Sequence, residues 1–161
     1  MSLVGIGFDS HRLVAGRRLV IGGVEIPFDR GLDGHSDADV LAHALTDALL
    51  GAAGMDDIGQ HFPDTDERWR DANSLQLLET VVQSVRAAGL ELVNVDCTVV
   101  MEAPKLSPHR RAIQARLAEV LALETARVNI KASTGEGMGF VGRGEGVAAL
   151  AVASLRDAGD R

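Results

Sequence analysis

Large apolar residues alternate with glycines from Val4 to Phe8, the period of a short strand, and polar Asp9-Ser10-His11 follows at its end. Arg18–Ile21 and Val24–Pro27 flank Gly22-Gly23, a hairpin signal in which both glycines can supply positive φ. Asp29–His35 is expected to be a glycine-containing loop. The spacing then lengthens: Val40, Leu41, Ala44, Leu45, Ala48 and Leu49 predict a helix over about Asp37–Ala53, capped by Ser36 and stopped by Gly54. Asp56–Arg70 is polar and irregular, long enough to suggest a functional loop.

Leu75, Leu78, Val81, Val82 and Val85 define a second amphipathic helix over Ser74–Ala88, with Gly89 at its end. Alternating Val93, Val95, Cys97, Val99 and Met101 make Leu90–Met101 a strand. Ser107-Pro108 opens a third helix that runs to about Leu121, and Arg127–Ala132 returns as a strand. Ser133–Gly146 is a glycine-rich loop. The alanines of Val147–Leu155 favour helix, but its place after a strand–helix–strand unit suits a strand, and strand is the reading taken. The pattern predicts one α/β domain over residues 1–161, without repeats or linkers.

Composition narrows the partners more than the fold. A chain of 161 residues can bury a core unaided, and with few aromatics the aliphatic residues must fill it. The formal net charge of -7 argues against nucleic acid, whose backbone needs a basic face, but leaves room for a small phosphorylated ligand. Cys97 stands alone and cannot form an internal disulfide. Neither a signal peptide nor a membrane-length apolar run is evident, so a cytoplasmic location is expected, with no membrane partner.

The candidate chemistry begins with Asp9 and His11. Two apart on an extended segment, they point the same way. Alone, such a pair reads as a solvated strand end; the helix after Ser36 alters that reading. Asp39, His43 and Asp47 form a stripe opposite its leucines, with no basic residue between Ser36 and Gly54. His43 would supply a third ligand, with the acidic residues of the stripe orienting imidazoles. One carboxylate and two imidazoles leave a position open, as in catalytic zinc sites. His35 precedes the helix where anions are attracted, and His61 and His109 are assigned surface or structural roles. Lys105, one of only two lysines, sits in the stiff Ala103-Pro104-Lys105-Leu106-Ser107-Pro108 turn. Ser133-Thr134-Gly135-Glu136 offers hydroxyls, amides and a carboxylate for a phosphate–magnesium pair, yet matches neither a P-loop nor a dinucleotide fingerprint.

Taken in order, several blocks resemble the 2-C-methyl-D-erythritol 2,4-cyclodiphosphate synthases. They are Gly5–His11, His35–Val40 through His43–Gly51, Asp57–Asp66, Ala103–Leu106 and Gly139–Gly146. The resemblance implies a mixed sheet with helices packed on one face, and a homotrimer with its sheets toward the axis and its active sites between neighbours. It implies zinc, or another divalent ion, on Asp9, His11 and His43, and magnesium or manganese on Glu136 and the substrate diphosphate. His35 and Thr134 match positions that stabilise the transition state.

Substrate contacts are implied at Asp9, Ser10, His11, His35 and Ser36. Asp57, Ile58, Gly59, Phe62, Pro63, Asp64, Thr65 and Asp66 match the methylerythritol phosphate region. Met101, Glu102, Ala103, Pro104, Lys105, Leu106 and Ser107 match the cytidine pocket, and Ser133, Thr134, Gly135 and Glu136 the diphosphate loop. Phe140 and Arg143 match further contacts. The implied reaction is cyclisation of 4-diphosphocytidyl-2-C-methyl-D-erythritol 2-phosphate with release of CMP. Ser133 stands where threonine is common, and Gly137 where many members carry a longer polar or basic residue. A metal-dependent phosphoesterase using water, or a nucleotide-binding trimeric sensor, would use parts of the same pattern.

Overall fold

A computed structural model describes residues 2–159. In chain order its elements are β1 (Ser2–Ala15), β2 (Leu19–Ile21), β3 (Val24–Ile26), β4 (Arg30–Leu32), α1 (Val40–Ala53), α2 (Ile58–His61), α3 (Ser74–Ala87), β5 (Leu90–Val100), α4 (Arg110–Leu121), β6 (Val128–Ser133), α5 (Gly139–Gly142) and β7 (Gly146–Asp157). The main sheet runs β4-β1-β7-β5-β6, and β2 with β3 forms a separate hairpin. Only β5 and β6 pair in parallel, through the α4 crossover; the other pairings are antiparallel. This is the expected mixed α/β domain, and Val147–Leu155 lies inside the central strand β7.

Two strand expectations change. β1 does not end at Phe8 but continues through Asp9-Ser10-His11 to Ala15, because β7 pairs with it from Ser2 as far as Arg12. The segment read as a loop before His35 contains β4, which pairs with the far end of β1. Both differences come from long-range ladders that supply hydrogen bonds whatever the local polarity. The Gly22-Gly23 hairpin stands, with φ of 57° and 74°.

Residue parity along β1 determines what each face carries. Gly5 and Gly7 turn toward α1, with Asp9, His11 and buried Leu13 continuing the row. Val4, Ile6 and Phe8 alternate with them and are 66%, 68% and 57% exposed on the opposite face, which Leu150 and Val152 of β7 extend. On the covered face α1 lies close to the strands. An added Cβ at Gly7 would sit 1.8 Å from the Ala44 carbonyl oxygen, and one at Gly5 2.1 Å from that of Ala48. Across the β1–β7 ladder Ala149, Ala151 and Ala153 keep this zone shallow. Leu41, Leu45, Leu49, Leu78, Ile113, Leu117 and Leu121 are buried in the core that the helices share.

The start of α1 also differs from expectation. Asp39, not Ser36, is its N-cap, and its carboxylate accepts from Ala42 N–H at 3.0 Å. The same carboxylate accepts from Gly22 and Gly23 N–H at 2.8 and 2.7 Å, so it ties the hairpin to the helix. Burial pushes the Asp39 pKa up, against the lowering effect of these three N–H donors. Gly54 closes the helix at φ 67°, as the sequence predicts. The third helix opens with a 3-10 turn over Ser107–His109 before α4 proper.

Two glycine substitutions should move stability in opposite directions. Gly7→Ala should lose about 3 kcal/mol, because the new methyl meets helix backbone that cannot swing aside. Gly51→Ala, on the exposed side of α1 with its nearest neighbour 3.9 Å from the new Cβ, should gain about 0.5–1 kcal/mol from helix propensity. Urea denaturation of both variants checks the pair. A tolerated Gly7→Ala would mean that the helix does not bear on the strand as described.

Candidate active site

Strand parity and the close approach of α1 bring Asp9, His11 and His43 together. Asp9 Oδ2 lies 2.8 Å from His11 Nε2 and 3.1 Å from His43 Nδ1. The two ring nitrogens are themselves 3.1 Å apart. The opposite nitrogen of each ring has its own partner. His11 Nδ1 is 2.8 Å from the Asp33 carbonyl oxygen, which can only accept, so Nδ1 carries a proton. His43 Nε2 is 2.8 Å from Ser74 Oγ and 3.2 Å from Ser36 Oγ. With His43 protonated on Nε2, three lone-pair atoms converge on one point. Such an arrangement repels itself unless a proton or a cation is shared among them, and a divalent metal fits this donor set.

The charges follow that geometry. Burial acts to raise the Asp9 pKa, but hydrogen bonds from His11 and His43 and their charge overcome it, lowering the carboxyl to about 2. Burial acts to lower that of His11, and the Asp9 carboxylate reverses this and holds it above its ordinary value.

The acidic stripe does not orient the imidazoles as expected. Asp39 is committed to the hairpin, and Asp47 accepts from Ile58 N–H at 2.8 Å, positioning α2. The groups behind His43 are Ser74, fully buried at the start of α3, and Asp37, whose carboxylate accepts from the Ser74 hydroxyl and from Ser74 N–H. Nothing in the local sequence marks this pairing, because 37 residues separate the partners. Ser36, read as a cap, instead accepts from Ala38 N–H at 3.1 Å and faces His43. Arg17 holds the loop between them, donating to the Gly34 and Ser36 carbonyls at 2.9 and 2.7 Å.

Beside the triad opens a cavity of about 440 Å³ lined by His11, His35, Ser36, His43, Ile58, Gly59, Phe62, Pro63, Asp64 and Trp69. Half of the Asp57–Asp66 block is thereby gathered with the metal-type residues. Asp57 caps α2 and Asp66 pairs with Arg68, so these carboxylates shape the loop and do not line the cavity. Thr65 is exposed and likewise outside the lining. Trp69 stacks edge-on against Phe62 with ring centroids 5.1 Å apart.

A second cavity, also about 440 Å³, is lined by Met101, Glu102, Lys105, Leu106, Ser107, Ala132, Ser133, Thr134 and Glu136. The Lys105 turn and the Ser133–Glu136 loop therefore meet, as the motifs suggest. Ala103 and Pro104 form the turn without lining the cavity. Thr134 Oγ1 donates to Glu136 Oε1 at 3.0 Å, and Glu102 accepts from Gly135 N–H at 2.8 Å, fixing the loop. The two cavities are separate. On the sheet beneath them, Ser10, next to His11 of the first cavity, pairs with Ala148, Ala148 with Val100, and Val100 with Ser133 of the second, three strand spacings or about 14 Å in total. Phe140 belongs to a third, smaller recess with Ser10, His11 and Glu145. Arg143 is exposed and paired with Glu145 at 2.7 Å.

Comparison with known proteins finds similar chains. Residues 2–156 match the profile of the YgbB family. The curated 2-C-methyl-D-erythritol 2,4-cyclodiphosphate synthase of Symbiobacterium thermophilum is 61% identical over 153 residues, covering 95% of this chain and 98% of its own. Among solved structures, the bifunctional IspDF of Campylobacter jejuni superposes with a TM-score of 0.94 at 46% identity, over 98% of this chain and 42% of that longer one. A 2C-methyl-D-erythritol-2,4-cyclodiphosphate synthase in its CDP-bound form gives 0.88 at 41% identity, over 95% and 99% of the two chains.

The triad should respond to pH and metal together. Asp9, lowered from 3.8 to about 2, contributes stability above its ordinary pKa and loses it as pH falls toward the folded value. His11, raised from 6.5, contributes below that ordinary value and loses it as pH climbs through the folded one. The metal-free ion pair is therefore strongest between these limits, and above them the lone pairs face one another unscreened. The Tm gain on saturating the stripped protein with zinc should grow steadily from pH ~5.5 to ~8. Calorimetry of both forms checks this, and a gain independent of pH would contradict the ligand set.

Proposed function

The chain belongs to the YgbB family, and from that premise we propose that it converts 4-diphosphocytidyl-2-C-methyl-D-erythritol 2-phosphate to 2-C-methyl-D-erythritol 2,4-cyclodiphosphate and CMP. The carrying observation is the convergence of Asp9, His11 and His43 beside a cavity, in a chain that aligns end to end with curated synthases. The reaction is an intramolecular phosphoryl transfer. An oxygen of the 2-phosphate bonds to the β-phosphorus, the bond from that phosphorus to the CMP oxygen breaks, and CMP leaves with the electron pair. No water is consumed, which separates this activity from a phosphoesterase and places it with the phosphorus–oxygen lyases.

The chain's own residues have three tasks. Asp9, His11 and His43 would hold zinc or a similar ion, and Glu136 would hold magnesium or manganese with the diphosphate. Such ions would supply positive charge to the phosphates during the displacement. His35 and Thr134 stabilise the charge of the transition state through donors beside those oxygens. The first cavity, with Ile58, Gly59, Phe62, Pro63 and Asp64, folds the methylerythritol phosphate arm so that its phosphate stands close to phosphorus, catalysis by proximity. The turn over Met101–Ser107 takes the cytidine, and the Ser133–Glu136 loop takes the diphosphate. Phe140 and Arg143 add contacts.

Such a substrate must touch both cavities, yet about 14 Å of sheet divides them within one chain. A homotrimer resolves the conflict by setting one subunit's metal cavity against its neighbour's nucleotide cavity. The exposed apolar row of Val4, Ile6, Phe8, Leu150 and Val152 gives the sheets a surface to bury around the axis. The reaction itself needs neither nucleic acid nor a membrane, and a cytoplasmic location suits it.

The direct test incubates the purified protein with the proposed substrate and magnesium and looks for CMP and the cyclodiphosphate together. A linear hydrolysis product would overturn the reading. His43→Ala should keep its circular dichroism, lose most bound zinc and fall at least about 100-fold in turnover, because one of three ligands is gone. Mixing inactive Asp9→Ala and Thr134→Ala subunits, after dissociation and reassembly, should recover activity from sites that draw their two halves from different chains. Mixed oligomers without any recovery would count against shared sites.

A further inference from the structure

His43 can bind a metal through Nδ1 only if its proton sits on Nε2, and the neighbouring residues determine that choice. Nε2 faces the Ser74 hydroxyl at 2.8 Å. A hydroxyl has one proton to give and lone pairs to accept with. Were Ser74 to donate to Nε2, the ring would carry its proton on Nδ1, aimed at Asp9 and His11. Asp37 forecloses that arrangement: its carboxylate, which can only accept, takes the Ser74 proton. The Ser74 lone pairs are then left for His43 Nε2–H.

We propose that Asp37 and Ser74 are positioning residues that fix the His43 tautomer and thereby set the affinity of the Asp9–His11–His43 site for a divalent metal. This rests on the reading of those three residues as metal ligands. Asp37 is itself held in place. Its second carboxylate oxygen accepts from Ser74 N–H at 3.1 Å, its first also from Asp39 N–H at 3.2 Å, and its own N–H donates to the Ala72 carbonyl at 3.1 Å. Ser74 is fully buried, so water does not compete for its hydroxyl. Among the described residues Ser36 is the other hydrogen-bond partner of Nε2; its oxygen already accepts from Ala38 N–H, and it lies 3.4 Å from Ser74 Oγ, close enough to donate to a remaining lone pair. The pairing therefore reaches from the loop before α1, through the first residue of α3, to a ring on α1. A metal-binding histidine is braced by two elements other than its own.

Zinc affinity measured by competition with a chromophoric chelator provides the test, with nitrogen-15 NMR of the histidine rings beside it. Ser74→Ala should weaken zinc about 10–100-fold while its circular dichroism and melting stay near those of the parent. Asp37→Asn should weaken it less, since the amide can still accept from Ser74 in one of its two orientations. In the metal-free parent protein His43 should carry a proton on Nε2. A folded Ser74→Ala with zinc affinity within twofold of the parent would overturn the proposal. Should Ser74→Ala fail to fold, the parent spectrum decides, and a His43 Nε2 without a proton would overturn it as well. His43→Ala is the control: if it too leaves zinc affinity unchanged, the metal-ligand reading itself fails, whereas its loss beside an unaffected Ser74→Ala would remove only the bracing role.

Discussion

The site depends first on how close α1 comes to β1. Gly5 and Gly7 have no side chains, and the carbonyls of Ala44 and Ala48 occupy the places where side chains would stand. A strand and a helix normally pack with a layer of side chains between them. Removing that layer lets His43, the residue before Ala44 in that contact, reach Asp9 Oδ2 at 3.1 Å and His11 Nε2 at the same distance. Backbone-to-backbone packing is also stiff, since no rotamer change can absorb a shift. The geometry of the Asp9–His11–His43 cluster is thus inherited from a backbone-to-backbone contact, an arrangement suited to holding an ion without reorganising.

That contact sets a second condition at the other end of the helix. With α1 lying flat on the strand, its N-terminus and the β2–β3 hairpin meet in a fully buried place, where backbone N–H groups need acceptors. Asp39 answers three of them with one carboxylate. The cost of burying its charge is offset by those donors, and the helix start is locked in register with the hairpin. One aspartate that resembles part of a ligand stripe therefore serves the architecture, and its neighbour Asp37, two residues earlier, faces the metal-side histidine through Ser74.

How much of this could be read from the chain depends on whether the information was local. The Asp-x-His spacing on a strand, the helical position of His43, the Gly22-Gly23 turn and the Lys105 and Ser133–Glu136 segments are all local, and each falls where expected. The continuation of β1 past Phe8 and the existence of β4 were not legible, since both are decided by pairing partners far away in sequence. Asp39 was misassigned for the same reason: periodicity places it on the face of His43 but cannot see the hairpin 16 or 17 residues before it. Ser74 carried only the signal of a residue opening a helix. Its contact with His43 spans 31 residues, and no motif announces it.

The charge distribution completes the account of how an acidic chain handles phosphate. Of its two lysines, Lys131 is tied to Asp96 at 2.6 Å, and Arg143 in the glycine-rich loop is tied to Glu145. Lys105, the other lysine, lines the second cavity. What lines the two cavities, Lys105 apart, is a set of neutral or anionic groups: imidazoles, hydroxyls, Asp64, Glu102 and Glu136. With a single lysine among carboxylates, such a lining would favour a polyphosphate more once divalent ions were shared between protein and ligand, and metal and substrate binding would then be coupled by electrostatics. The net charge of -7, which argues against a nucleic-acid partner, is consistent with the same design, because positive charge would then arrive with the ions and only where the carboxylates and imidazoles could hold them.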